Sequence, residues 1–194
     1  IRGFDLAGTC VAVVEHEMPC DIASGDVIVG LRSSGLHSNG YTLARKAFTE
    51  NGYSYHDTLP GTDEAIGDTL LTPTRIYVRE ILALWSQVDV KGISHITGGG
   101  LRNLKRLTDR VCFSIDEPFP PQHVFQVIQE LGNVTDREMY QTFNMGMGLA
   151  IVVAEADVDT TLDVLARHSE MDAAVVGHVV AGTGVELPAR ELQY

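Results

Sequence analysis

Lysine is scarce in this chain. Only Lys46, Lys91 and Lys105 occur among 14 basic residues, which face 26 acidic ones, and the formal net charge is −12 over 194 residues. A surface of that sign repels nucleic acid and anionic membranes, so neither is an expected partner. An anionic substrate has to be drawn by a local group of arginines and backbone amides. Cysteine is scarce too. Cys10, Cys20 and Cys112 are odd in number and show no CxxC spacing, which argues against a disulfide framework and a zinc site and fits a reducing, cytoplasmic setting. The seven histidines are scattered without an HExxH pattern, and no metal site is expected. Long apolar runs are missing as well. The longest, Leu149 to Ala154, is far too short to cross a bilayer. The first residues lack a basic stretch followed by an apolar one, so no signal peptide is expected. There is no internal repeat and no low-complexity segment.

What is present is an ordinary globular composition. Hydrophobic residues make up 44% and charged residues 21%, enough for one sizeable domain with or without an appendage. Strand and helix patterns alternate. Val11 to Val14 reads as a strand, the turn-rich stretch Pro19 to Asp26 follows, and Val27 to Leu31 reads as a second strand. After the loop Ser33 to Gly40, the spacing of Tyr41, Ala44 and Phe48 predicts a one-sided helix over 41–50, stopped by Asn51-Gly52. A longer helix is expected from Pro73 to about Gln87, with Ile76, Ile81, Leu84 and Trp85 available for burial. Further strands are read at 92–97, 111–115, 147–153, 173–180 and 185–187. Helices are read at 121–131, 136–143 and 157–168, and a short one is anchored by Leu101, Leu104 and Leu107. The class is α/β, a mixed sheet covered by helices. Because Ile1 to Gly8 starts abruptly, residues 1–16 are expected to be a remnant strand or linker of a missing preceding domain. Residues 17–194 would then form the domain proper.

Three polar clusters fall at strand-to-helix junctions, where α/β proteins bind ligands. The first is Ser33-Ser34-Gly35-Leu36-His37-Ser38-Asn39-Gly40. Ser38 or Asn39 suits a helix cap, while an imidazole at a loop tip, His37, suits a phosphate contact or proton transfer. The second is His95-Ile96-Thr97-Gly98-Gly99-Gly100, where a strand empties into three glycines ahead of a helix bearing Arg102, Lys105 and Arg106. Glycines let backbone N–H groups approach a ligand, and a helix start adds partial positive charge. The third, Glu138 to Gly148, alternates Met and Gly before a strand and reads as core packing with close backbone approach. If the first two loops follow strands that run the same way, they open on one side of the sheet.

The runs GLRSSGLHSNGYTLARK, LLTPTRIYVREILAL, VDVKGISHITGGG and EMYQTFNMGMGLAIVV, in this order and at these spacings, closely resemble the C-terminal half of aminoimidazole ribonucleotide synthetases, the phosphoribosylformylglycinamidine cyclo-ligases. The opening FDLAGTCVAVVE is similar to the segment joining that family's two domains, and the closing VVGHVVAGTGVEL to its last hairpin. The segment after the glycines is shorter than the common bacterial form, although Asn103 and Arg106 keep counterparts. The resemblance implies a homodimeric enzyme of purine biosynthesis. ATP phosphorylates the amide oxygen of formylglycinamidine ribonucleotide, a substrate nitrogen attacks the activated carbon, and the imidazole ring closes with release of ADP and phosphate. It implies that ATP and magnesium are held by the preceding domain, so that no cofactor is expected on these residues alone and the chain alone is inactive. The ribonucleotide wall is assigned to His37, Ser38 and Asn39 with Thr97, Gly98, Gly99 and Gly100; no catalytic acid or base is assigned. Two alternatives stand beside it: a related ATP-using enzyme, of the formylglycinamidine ribonucleotide synthetase, selenophosphate synthetase or hydrogenase-maturation type, or a non-catalytic dimerisation or binding module.

Overall fold

A computed structural model describes residues 7–14, 16–168 and 172–194. In chain order they form β1 (Val27–Arg32), α1 (Tyr41–Glu50), α2 (Ile66–Leu70), α3 (Val78–Trp85), β2 (Gly92–His95), a 3₁₀ turn (Gly100–Arg106), β3 (Cys112–Ser114), α4 (His123–Gly132), α5 (Asp136–Thr142), β4 (Met147–Val153), α6 (Val158–His168), β5 (Ala173–Val180), β6 (Gly184–Leu187) and β7 (Leu192–Gln193). The seven strands join one mixed sheet in the order β2-β4-β1-β5-β3-β6-β7. All neighbours are antiparallel except β3 and β6.

The sheet is covered on both faces, and strand alternation sorts the side chains between two cores. Along β4, Ala150 and Val152 face one layer, built on α1, α2, α4, α5 and the 3₁₀ turn, and a bulge at Gly148 breaks the alternation and brings Met147 to the same layer. Leu149, Ile151 and Val153 face the other, built on α3 and α6. β4 therefore has no wet side, and all seven of its residues are buried. That arrangement is the expected α/β class, a mixed sheet covered by helices.

Several expectations need correction. Residues 7–14 carry no strand, and Val11 is 94% exposed; positions 1–6 and 15 lie outside the described residues. The helix expected from Pro73 starts only at Val78. Two anchors hold the preceding TPTRIY run against the end of β1: Ser34 Oγ donates to the Pro73 carbonyl at 2.7 Å, and the Tyr77 hydroxyl to the Arg32 carbonyl at 3.2 Å. These tertiary bonds take the place of the first helical turn. In consequence Ile76, expected inside, is 78% exposed. The five-residue α2 was not anticipated; Ile66 and Leu70 make one short apolar stripe inside a polar stretch.

Candidate functional site

β1 and β2 each run antiparallel to β4, which lies between them, so the two point the same way and deliver their following loops to the same end of the sheet. The loops meet there. A side-chain carbon built at Gly98 would lie 2.6 Å from Asn39 Oδ1, and the rings of His37 and His95 are 5.9 Å apart. The Tyr77 ring stands 6.3 Å from His37 and 5.9 Å from His95, completing an aromatic triangle. Gly148 on β4 makes room for it, because a Cβ there would meet the Tyr77 hydroxyl and the His37 Cε1 carbon.

His37 is not an exposed loop-tip side chain. It is 3% exposed and sits at φ 61°, in the left-handed region that a bulky residue seldom occupies. Its Nε2 accepts the Ser34 backbone N–H at 3.2 Å, so the proton of the neutral ring resides on Nδ1. That Nδ1 is buried and has no hydrogen-bond partner among the described residues. Burial, and then the neighbouring His95 and Arg75, lower its pKa from 6.5 to about 4. Burial lowers His95 as well. His37 is thus a neutral ring with one preset donor lacking an acceptor; it does not supply the positive charge that draws an anion.

Neither Ser38 nor Asn39 caps α1. The cap position is Gly40, with no side-chain hydrogen bond. Ser38 is exposed and Asn39 half-buried against Gly98, which leaves both free for contact from outside. In the glycine loop the Thr97 N–H is taken by Asn103 Oδ1 at 2.7 Å, and the Gly100 N–H by the Thr97 carbonyl at 2.8 Å. Gly98 and Gly99 donate to no partner among the described residues, so theirs are the amides available to an oxygen. Gly100 is turned inward instead. It is buried at φ 55°, and a Cβ there would collide with the Tyr140 carbonyl oxygen at 1.8 Å. Its glycine is demanded by packing, not by a ligand.

The third cluster braces both loops from beneath. A Cβ at Gly40 would run into the Phe143 ring at 2.1 Å, and one at Gly100 would reach the Phe143 carbonyl at 2.9 Å. Asn144, 3% exposed, accepts from the Ser33 hydroxyl and from the Gly146 N–H, each at 2.9 Å, and donates to the Gly35 carbonyl at 2.8 Å. Sequence reasoning singled out neither Asn144, Asn103 nor Tyr77 as site residues. Asn103 and Asn144 are buried amides, a residue type that enters a core only to satisfy backbone groups, yet nothing local in the sequence shows that they are buried.

Chemically, the end of the sheet presents the two free amides, the Ser38 hydroxyl and the Asn39 amide, with the exposed Arg102 beside Gly99, while the unpaired Nδ1–H of His37 is buried at the same end. This is an α/β domain with two polar loops paired at one sheet end, a place where such folds bind ligands. Residues 23–189 match the family described as AIR synthase related protein, C-terminal domain, and the chain belongs to that family. A phosphoribosylformylglycinamidine cyclo-ligase from Methanopyrus kandleri is 50% identical over 95% of this chain and 53% of its own length. One of the same name from Thermoplasma acidophilum is 41% identical over 99% of this chain and 57% of its own. The chain spans about half the length of the curated relatives it matches. Escherichia coli HypE, a hydrogenase maturation protein, shares the fold at TM-score 0.60 and 20% identity, over 93% of this chain and 52% of HypE. Thiamine-monophosphate kinase from Stenotrophomonas maltophilia shares it at TM-score 0.57 and 16% identity, over 90% and 54%.

Proposed function

We propose that these residues are the C-terminal half of a phosphoribosylformylglycinamidine cyclo-ligase and that the paired loops hold its ribonucleotide substrate. The 50% identity to the M. kandleri cyclo-ligase across nearly the whole chain carries the reading. The meeting of the His37 and Gly98 loops supports the choice of site. In this reading the Gly98 and Gly99 amides and Arg102 receive phosphate oxygens, and Asn39, Ser38 and Thr97 line the same wall. The buried Nδ1–H of His37 donates to a neutral oxygen of the substrate, because an uncharged donor gains most from a partner already shielded from water. Holding the ribonucleotide in a fixed pose and keeping water from the activated carbon are this half's contribution.

The chemistry of ring closure, ATP-driven loss of the amide oxygen as phosphate, is assigned to the assembled enzyme. Among the described residues there is no group of three or more His, Cys, Asp or Glu that could hold a metal ion. In this reading ATP and magnesium belong with the half that the relatives carry in addition. A homodimeric assembly is part of the same reading. No described helix is long and apolar enough to cross a membrane.

Titration of the 194-residue chain with formylglycinamidine ribonucleotide, followed by the His37 ring resonances, tests the site. Binding that shifts those resonances and is lost in Gly99→Val is expected. Adenosine monophosphate bound equally well, or resonances that do not move, would overturn it.

A further inference from the structure

The α3 helix is apolar over a wider face than a surface helix needs. Ile81 and Leu84 point into the core. Val78, Leu82 and Trp85, spaced i, i+4 and i+7, extend the apolar surface onto the adjoining flank, where Trp85 is half-buried against the core and Val78 and Leu82 are 58% and 54% exposed. With Ile76 at 78% exposed they line an apolar groove of about 410 Å³, whose other walls include Arg75, Tyr77, Leu149 and His95. Apolar side chains gathered at this density on one face mark a surface that another polypeptide covers.

We propose that this groove seats the portion of the cyclo-ligase polypeptide that the relatives carry ahead of the region matched here. The proposal rests on the functional reading above and adds the docking face. Three observations choose this occupant. The His16 ring packs on Trp85, at 5.0 Å between centroids, so the segment leading out of the domain leaves it at the lip of the groove. The matched family is a C-terminal domain beginning at residue 23, and the T. acidophilum relative matches 99% of this chain but 57% of its own length, so the segment ahead of residue 23 lies on the side of that relative's other half. A connected half meets the groove at high effective concentration. A second copy would bring another net charge of −12 against the first. The groove also ends at His95, 5.9 Å from His37. A half docked there borders the ribonucleotide loops and covers His95, which joins binding on one half to chemistry on the other.

The test is co-expression of the preceding portion of the M. kandleri cyclo-ligase with the tagged 194-residue chain, followed by capture. The unaltered chain is expected to retain the partner. So is Tyr55→Glu, which alters an exposed aromatic beside α1 on the other helical layer. Ile76→Glu/Leu82→Glu is expected to lose at least about tenfold in capture with its melting temperature unchanged. If that double variant melts early, Leu82→Lys alone replaces it. Capture by the α3 variants at the level of the unaltered chain overturns the proposal, as does no capture by the unaltered chain. A chain that runs alone as a dimer broken by the same variants also overturns it, assigning the face to self-association. Ribonucleotide titration is read separately, so a chain that binds the nucleotide but captures nothing refutes the docking face and leaves the functional reading standing.

Discussion

His37 carries two constraints in one residue, a left-handed backbone and a tautomer set by the Ser34 N–H. They can be separated by substitution. Asparagine tolerates the left-handed region and places an amide N–H near the Nδ1 position, whereas glutamine reaches only the Nε2 position. In ribonucleotide titration His37→Asn should stay within a few-fold of the unaltered chain, and His37→Gln should weaken binding by about tenfold, the effect of losing one hydrogen bond of roughly 1.4 kcal/mol. Equal affinities for the two variants would remove the Nδ1 donor from the site. The residue beneath gives a second test. Gly148→Ala puts a carbon 1.8 Å from the Tyr77 hydroxyl and 2.8 Å from His37, at the second position of a buried strand. A cost of about 1–3 kcal/mol is expected from such overpacking. Tyr77→Phe removes the clashing oxygen, so the double variant should cost less than the two single changes added. Strict additivity in urea midpoints would show that the hydroxyl is not what Gly148 accommodates.

At the scale of elements, Asn144 is the joint between α5, β4 and the β1 loop. Its side chain answers Ser33, Gly35 and Gly146 at once, and Gln122 Nε2 adds a bond to the Ser33 carbonyl at 2.6 Å. Asn144→Ala strands buried polar partners, so a loss of about 2–4 kcal/mol is expected, with faster amide exchange confined first to residues 33–40. Uniform exchange across the whole sheet would contradict a brace local to that loop. The joint also shows where sequence reading stops. α1 was legible because Tyr41, Ala44 and Phe48 repeat on one face, and β4 because seven apolar residues stand together. The meeting of the two loops followed from strand direction, though β1 and β2 are separated by an antiparallel strand and are not neighbours. The bond from Ser33 to Asn144 spans 111 residues, and no local pattern announces it. The late start of α3 failed for the same reason: Ser34 and Arg32 compete for residues that propensity alone assigns to a helix. The triple glycine was legible as a special turn, but only packing against Tyr140 separates Gly100 from the two glycines with free amides.

For the molecule as a whole, the buried histidine makes stability depend on pH in a calculable direction. The His37 pKa falls from 6.5 in the unfolded chain to about 4 in the folded one. Between these values the unfolded chain binds a proton that the folded chain refuses. Unfolding free energy therefore rises with pH across this window, and stability is lost as pH drops from 6.5 toward 4. The full effect is about 3 kcal/mol, a large part of the stability of a domain this size. Above pH 7 the group contributes no slope. His95, which faces His37 and is lowered by burial, acts in the same direction. Urea midpoints taken at pH 7.5, 6.5, 5.5 and 4.5 should fall steadily for the unaltered chain. The His37→Asn curve should be flatter between 6.5 and 4.5, and the carboxylates, common to both proteins, cancel in the difference. Parallel curves across that interval would mean that His37 takes up its proton as readily folded as unfolded, and the neutral, water-shielded ring at the centre of the site would have to be abandoned.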